Sequence, residues 1–97
     1  MKIRILEDAE RDLDEGRRFY EPQSPGLGAY FLDSLFSDID SLILYAGVHR
    51  VVFGKYFRLL SKRFPFVVYY TIEETHILIH AVLDGRRHPS WSRKRLS

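Results

Sequence analysis

Between Asp8 and Tyr20 the apolar positions fall at Ala9, Leu13, Gly16 and Tyr20, spaced i, i+4, i+7 and i+11 with charges between them. That spacing predicts an amphipathic helix, and the acidic cluster Glu7-Asp8-Glu10 suits its positive end. Ahead of it, Lys2 to Leu6 alternate as a short strand. Pro22-Gln23-Ser24-Pro25-Gly26 breaks the helical period, and Ser24 as N-cap with Pro25 at the first helical position predicts the start of a second helix. Its stripe runs Leu27, Phe31, Leu35, Ile39, Leu42, Ala46, widened by Tyr30, Leu32, Phe36 and Ile43, and Gly47 is its expected stop. So short a connection predicts an antiparallel helical hairpin.

After Gly47 the period changes to two. His49–Phe53 and Tyr56–Lys62 read as strands around a Gly54-Lys55 turn, with Phe57, Leu59 and Ser61 on one face and Arg58, Leu60 and Lys62 on the other. Phe66–Ile72 is apolar on both faces, the mark of a central strand. Tyr69 and Tyr70 point to opposite sides of it, one of them into the core with its hydroxyl at the edge. Glu73-Glu74-Thr75 is short enough for a hairpin, and Ile77, Ile79, Ala81 and Leu83 alternate as a last strand. Pro89 and the polar tail are expected to end the regular structure and to add little to the core. The order β-α-α-β-β-β-β defines an α+β domain over residues 1–97, an N-terminal strand and helical hairpin packed on a mostly antiparallel sheet.

Composition narrows the chemistry. At 97 residues and 45% hydrophobic the chain has material for one core. It has no cysteine, which excludes disulfides, thiolate metal sites and a cysteine nucleophile. The first residues lack the apolar run of a signal peptide, and no stretch of about 18 uncharged apolar residues offers a membrane span. A cytoplasmic protein without membrane association is the expectation. The net charge of +2 hides an asymmetry: residues 1–54 hold six Lys/Arg against ten Asp/Glu, and residues 55–97 hold nine against three. A field segregated in this way steers anionic partners, although a solvated basic sheet edge would produce the same counts.

The Ala9-x-x-Asp12-Leu13 helix, the amphipathic helix around Phe31, the Arg58 strand, the Phe64-Pro65-Phe66-Val67-Val68-Tyr69-Tyr70 strand and the exit from Arg86 to Trp91 follow one another in an order that resembles the RelE/ParE superfamily of bacterial toxin–antitoxin toxins. The resemblance covers nearly the whole chain. It implies the toxin of a type II module of the kind that serves plasmid stabilisation and growth inhibition, with a cognate antitoxin as partner and room for a homodimer within their complex. RelE-like members are ribosome-dependent mRNA endonucleases, and ParE-like members poison DNA gyrase. A nuclease of this kind needs basic groups around the scissile phosphate. Carried over by position, Arg58 fills the first basic place and Arg86 a late one. Leu60 and Val67 stand where two further basic residues belong, and Trp91 stands near the place of a final Tyr. Asp84 replaces a His before the Arg-rich corner. The two apolar positions and Trp91, which cannot transfer a proton, favour the ParE-like side, with gyrase as target and no catalytic set; Asp84 is assigned no role. The alternative, ribosome and mRNA as target, would use Arg58, Lys62 and Arg86, with Tyr69 as a further candidate.

The residues assigned to target binding are therefore Arg58, Arg86, Arg87, Trp91, Arg93 and Arg95. A structural role competes with that reading, with Arg58 or Arg86 paired to Asp12 or Asp33 and Trp91 pinning the tail to the sheet. Tyr30, Phe36 and Ile43, with Leu32 and Leu44, exceed what one helical face can bury and are assigned to antitoxin binding. His76 and His80 lie four residues apart on a strand, about 13 Å, too far to share an ion. His49 and His88 read as isolated surface residues. No metal or cofactor is expected.

Overall fold

The computed structural model describes residues Met1 to Ser97. Its strands are β1 (Lys2–Ile5), β2 (Arg50–Val52), β3 (Tyr56–Leu60), β4 (Phe66–Glu73) and β5 (His76–Asp84). Its α-helices are α1 (Glu7–Tyr20), α2 (Leu27–Asp40), α3 (Leu42–Tyr45) and α4 (Pro89–Leu96). The five strands form one sheet in the order β1-β5-β4-β3-β2. β1 runs parallel to β5, and the other three pairings are antiparallel. The α+β architecture expected from the sequence is the one observed, with the α1–α2 hairpin packed on one face.

That face carries the main core. Ala9, Leu13 and Tyr20 of α1 and Phe31, Leu35 and Ile39 of α2 meet Leu59, Phe66, Val68, Tyr70, Ile77, Ile79 and Val82 of the sheet. Phe31 lies edge-on to Phe64 and Phe66, at centroid distances of 5.1 and 5.0 Å, geometries that add to simple burial. The helices close on each other because Gly16 has no side chain. A Cβ there would lie 2.4 Å from the Phe31 ring, so the glycine in the apolar stripe is the slot into which Phe31 fits. β4 is buried from Phe66 to Thr71, as its two-sided apolar run requires.

Five features depart from the sequence reading. Helix α2 begins at Leu27, with Gly26 as N-cap at φ 86°, instead of with Ser24 and Pro25. Glu21 supplies the cap from a short 3-10 turn (Glu21–Gln23): its carboxylate accepts from the Gly26 and Gly28 amides at 3.0 and 2.9 Å. The long second helix is interrupted at Ser41, whose hydroxyl donates to the Asp38 carbonyl at 2.6 Å, so Leu42–Tyr45 forms a separate turn of helix. Strand β2 stops at Val52 because Phe53 and Gly54 both adopt positive φ (53° and 71°) and make the hairpin turn, and β3 ends at Leu60, short of the expected Lys62. The largest departure is the tail. Pro89 does not end regular structure but opens α4, where it occupies the first turn and the His88 ring accepts from the Ser90 amide as N-cap. His88 therefore has a structural role at the surface. His49 is half-buried, not isolated: Tyr70, on the core face, accepts the Gly47 amide at 3.0 Å and hydrogen-bonds the His49 ring.

Candidate functional site

The face of the sheet away from the hairpin is partly closed by α4. A smaller apolar group, Val67, Tyr69, Ala81 and Leu83, lies there with Val52, Phe53, Tyr56 and Leu96 packed against it. Ser92 is buried, and the Tyr56 hydroxyl donates to the Leu96 carbonyl at 2.9 Å. The far end of α4 is held by Arg95, which forks onto Asp12 with both contacts at 2.8 Å.

Asp12 owes its place to the sheet. β1 pairs with β5 only as far as Ile79. The Val82 amide beyond that point donates instead to Asp12, at 3.0 Å. One buried carboxylate thus satisfies a strand edge and anchors a helix. Burial raises the Asp12 pKa above its ordinary value, while Arg95 and the Val82 amide pull it down.

The cations assigned to target binding fall into three situations. Arg95 is committed to Asp12. Arg86 forks onto Asp84, at 3.0 and 2.7 Å, and holds that carboxyl below its usual range. Asp84, which the sequence left without a role, is the partner that shapes the Gly-Arg-Arg corner. Arg87, Arg93 and Arg58 have no carboxylate partner. Arg87 lies 4.2 Å from the centre of the Trp91 ring, and Arg93 lies 5.4 Å from that of Phe53. Trp91 is 36% exposed and lines a groove with Phe19, Phe66, Leu83 and Asp12, so it both seals an edge and presents a surface. The pairing of Arg58 or Arg86 with Asp12 or Asp33 does not occur.

Leu60 and Val67, the positions at which the resemblance to RelE-like nucleases expects further basic groups, lie together. Leu60 and Val67 are direct cross-strand partners next to Arg58, which itself pairs in register with Tyr69. Leu60 is 57% exposed; Tyr69 and Val67 are buried. Lys62 lies past the end of β3, in the connection to β4, and Arg86 is at the exit of β5. Directly across from Arg58 on β2 stands Arg50, and the two share the same side of the sheet. Arg50 was not singled out in the sequence. The signal that could have found it is the register of the Phe53-Gly54 hairpin, which sets residue 50 against residue 58.

Helix α2 and the turn after it leave a second surface uncovered. Tyr30, Phe36, Ile43 and Leu44 are all exposed, Leu44 by 79%, while Leu32 is half-buried. Leu32 and Phe36 line a shallow groove with Ile5 and Leu13. Tyr30 sits apart from them, against Phe64 at 5.6 Å. Among the histidines, His80 bonds Thr71 and His76 bonds Thr75, and no three potential metal ligands converge. No helix is long and apolar enough to cross a membrane.

The family model described as the ParE toxin of the type II toxin–antitoxin system parDE matches residues 3–89. A solved structure described as the chromosomal ParDE TA system from P. aeruginosa superposes with a TM-score of 0.78 at 17% sequence identity, covering 84% of this chain and 92% of that one. At that identity the likeness is one of fold. No curated protein sequence matches.

Proposed function

Since the chain belongs to the family of ParE toxins of type II toxin–antitoxin systems, we propose that it restrains growth by binding DNA gyrase in the cytoplasm and that a cognate antitoxin neutralises it. The observation that carries the gyrase reading is the pair Leu60 and Val67, which face each other beside Arg58 where a ribonuclease would place its basic groups. Arg58 itself is a poor proton acceptor, because a guanidinium stays charged far above neutrality. Its use is to hold a carboxylate or a phosphate. Arg87 over Trp91 and Arg93 over Phe53 are unpaired cations on aromatic supports, the residue types that most often anchor interfaces.

For the antitoxin the favoured surface is the uncovered side of the hairpin, where Phe36 and Leu32 line the α1–α2 groove and Ile43 extends the apolar strip into α3. Tyr30 belongs to a separate contact on the opposite flank. Exposed apolar strips of this kind are what a partner segment covers.

Induced expression separates the two targets. A gyrase poison is expected to raise the DNA-damage response while protein synthesis continues. Prompt arrest of translation with fragmented mRNA, in the absence of a damage response, would refute the gyrase reading.

A further inference from the structure

The groove between α1 and α2 has an apolar floor and an acidic rim. Ile5, Leu13, Leu32 and Phe36 line a volume of about 320 Å3, with Glu10 and Asp14 on its α1 side. On the α2 side, Asp33 and Asp40 stand three residues before and four residues after Phe36, the spacings that make surface neighbours on a helix. Glu10, Asp33 and Asp40 are exposed, and none of them forms an ion pair. The cations of the hairpin are all engaged elsewhere: Arg17 and Arg18 hold Asp14, and Arg11 holds Glu7 and Asp8. On β1, Ile3 and Ile5 pack toward the hairpin, which turns Lys2 and Arg4 to the other face of the sheet.

Such a rim selects its occupant by charge. A second copy of this chain meeting the same groove would set acids against acids, and an acidic partner would do likewise. A segment with Lys or Arg beside its apolar side chains gains where those lose. It is also repelled by the opposite side of the molecule, where Arg50, Arg58, Arg87 and Arg93 have no carboxylate partner. The form of the segment follows from the geometry. Helices α1 and α2 are each 14 residues long, about 21 Å. A groove between two antiparallel helices of that length suits a third helix laid along it, with side chains at i, i+3 or i+4, and i+7 entering the floor. Asp33 and Asp40 lie seven residues apart, a rise of about 10 Å, and residues seven apart on the incoming helix have the same rise.

We propose that the α1–α2 groove takes a basic amphipathic helix. Its apolar stripe covers Leu13, Leu32 and Phe36. One flank presents two Lys or Arg, seven residues apart, to Asp33 and Asp40, and the other flank presents one to Glu10. The inference rests on the reading of this groove as the antitoxin's, and adds to it the charge and the form of the segment that enters.

Fluorescence anisotropy on the purified full chain tests it with three labelled synthetic peptides of about 15 residues, close to the length of the groove helices. The first is a Leu/Ala-striped helix with Lys at the three flank positions. The second carries Glu in their place, and the third scrambles the first so that composition stays and the stripe is lost. The basic helix is expected to bind roughly tenfold more tightly than either of the others. Asp33→Asn with Asp40→Asn should weaken it several-fold and flatten its salt dependence. Asp33→Lys with Asp40→Lys should reverse the preference, so that the acidic helix binds better. Glu73→Gln with Glu74→Gln, around the β4–β5 turn, should leave binding as it is. Phe36→Ala removes part of the floor and leaves the rim, so it tests the groove apart from the charge and should also weaken the basic helix. Unchanged binding in Phe36→Ala would remove the groove as a docking surface, and the inference with it. Weaker binding in Phe36→Ala, with the acidic helix bound as tightly as the basic one or with no effect of the two Asn substitutions, would leave the groove standing and overturn the basic partner. No binding of the basic helix, or a scrambled peptide bound equally well, would overturn the helical occupant.

Discussion

Asp12 is the residue on which separate parts of the molecule depend together. Its carboxylate accepts the Val82 amide from an uncovered strand edge and the guanidinium fork of Arg95 from the last helix. Asp12→Ala should cost about 2–3 kcal/mol, because it leaves a strand amide and a cation without partners. Asp12→Asn keeps one acceptor and should cost less. Chemical denaturation with both variants checks the order, and equal losses would show that only one of the two contacts matters. Asp12 was visible in the sequence as part of a helix motif and as a carboxylate awaiting an arginine. Its true partner, Arg95, lies 83 residues away, and only the early end of β1 brings them together. Alternation alone puts Tyr69 and Tyr70 on opposite faces; that Tyr70 is the one in the main core, with Tyr69 buried on the side of α4, takes the packing. The cap on α2 was not legible. Ser24-Pro25 is a sound local start signal, yet Glu21 reaches the Gly26 and Gly28 amides from the preceding turn. Those bonds hold the Glu21 pKa below its ordinary value. The capping stability is therefore complete above the ordinary carboxylate range and fades as pH falls through the depressed folded value. The gap in melting temperature between the native protein and Glu21→Gln should be widest near neutral pH and close in acid. A gap independent of pH would mean that the charge of Glu21 plays no part.

At the scale of elements, the hairpin and the four later strands could be read from period because each buries a continuous stripe or face. Helix α4 could not. Its sequence, Pro89-Ser90-Trp91-Ser92-Arg93-Lys94-Arg95-Leu96, has only two large apolar residues and no stripe. It is held by particular contacts instead: Arg95 to Asp12, the Leu96 carbonyl to Tyr56, and a buried Ser92 that allows close approach. Deleting residues 92–97 should therefore cost about 2–4 kcal/mol, since it strands Asp12 and uncovers the apolar group around Tyr69. Thermal melting of the truncated chain reads this directly, and an unchanged melting temperature would show that α4 is not part of the folded unit. The charged surface can be tested without that damage. Arg93 and Lys94 are exposed and make no ion pair, so Arg93→Gln with Lys94→Gln should leave the fold intact and reduce growth inhibition. Full toxicity in this variant would remove Arg93 from the target surface.

Over the whole molecule, the charge asymmetry of the sequence becomes a spatial division. Three acids of the first half, Glu7, Asp8 and Asp14, are paired within α1 by Arg11, Arg17 and Arg18, while Arg50, Lys55, Arg58, Arg87 and Arg93 make no ion pair on the β2–β3 hairpin, the β5 exit and α4. On the proposed reading the apolar side of the hairpin takes the antitoxin and the cationic side the target. That division suits a toxin held by an antitoxin and aimed at a complex that carries DNA. The most direct measurement is supercoiling of relaxed plasmid by purified gyrase in the presence of this protein, alongside ribosomes programmed with a defined mRNA. Loss of supercoiling at protein concentrations that leave the mRNA intact is the expected result, with Arg58→Gln less potent while equally folded. Undisturbed supercoiling together with cleavage of the ribosome-bound mRNA would contradict it.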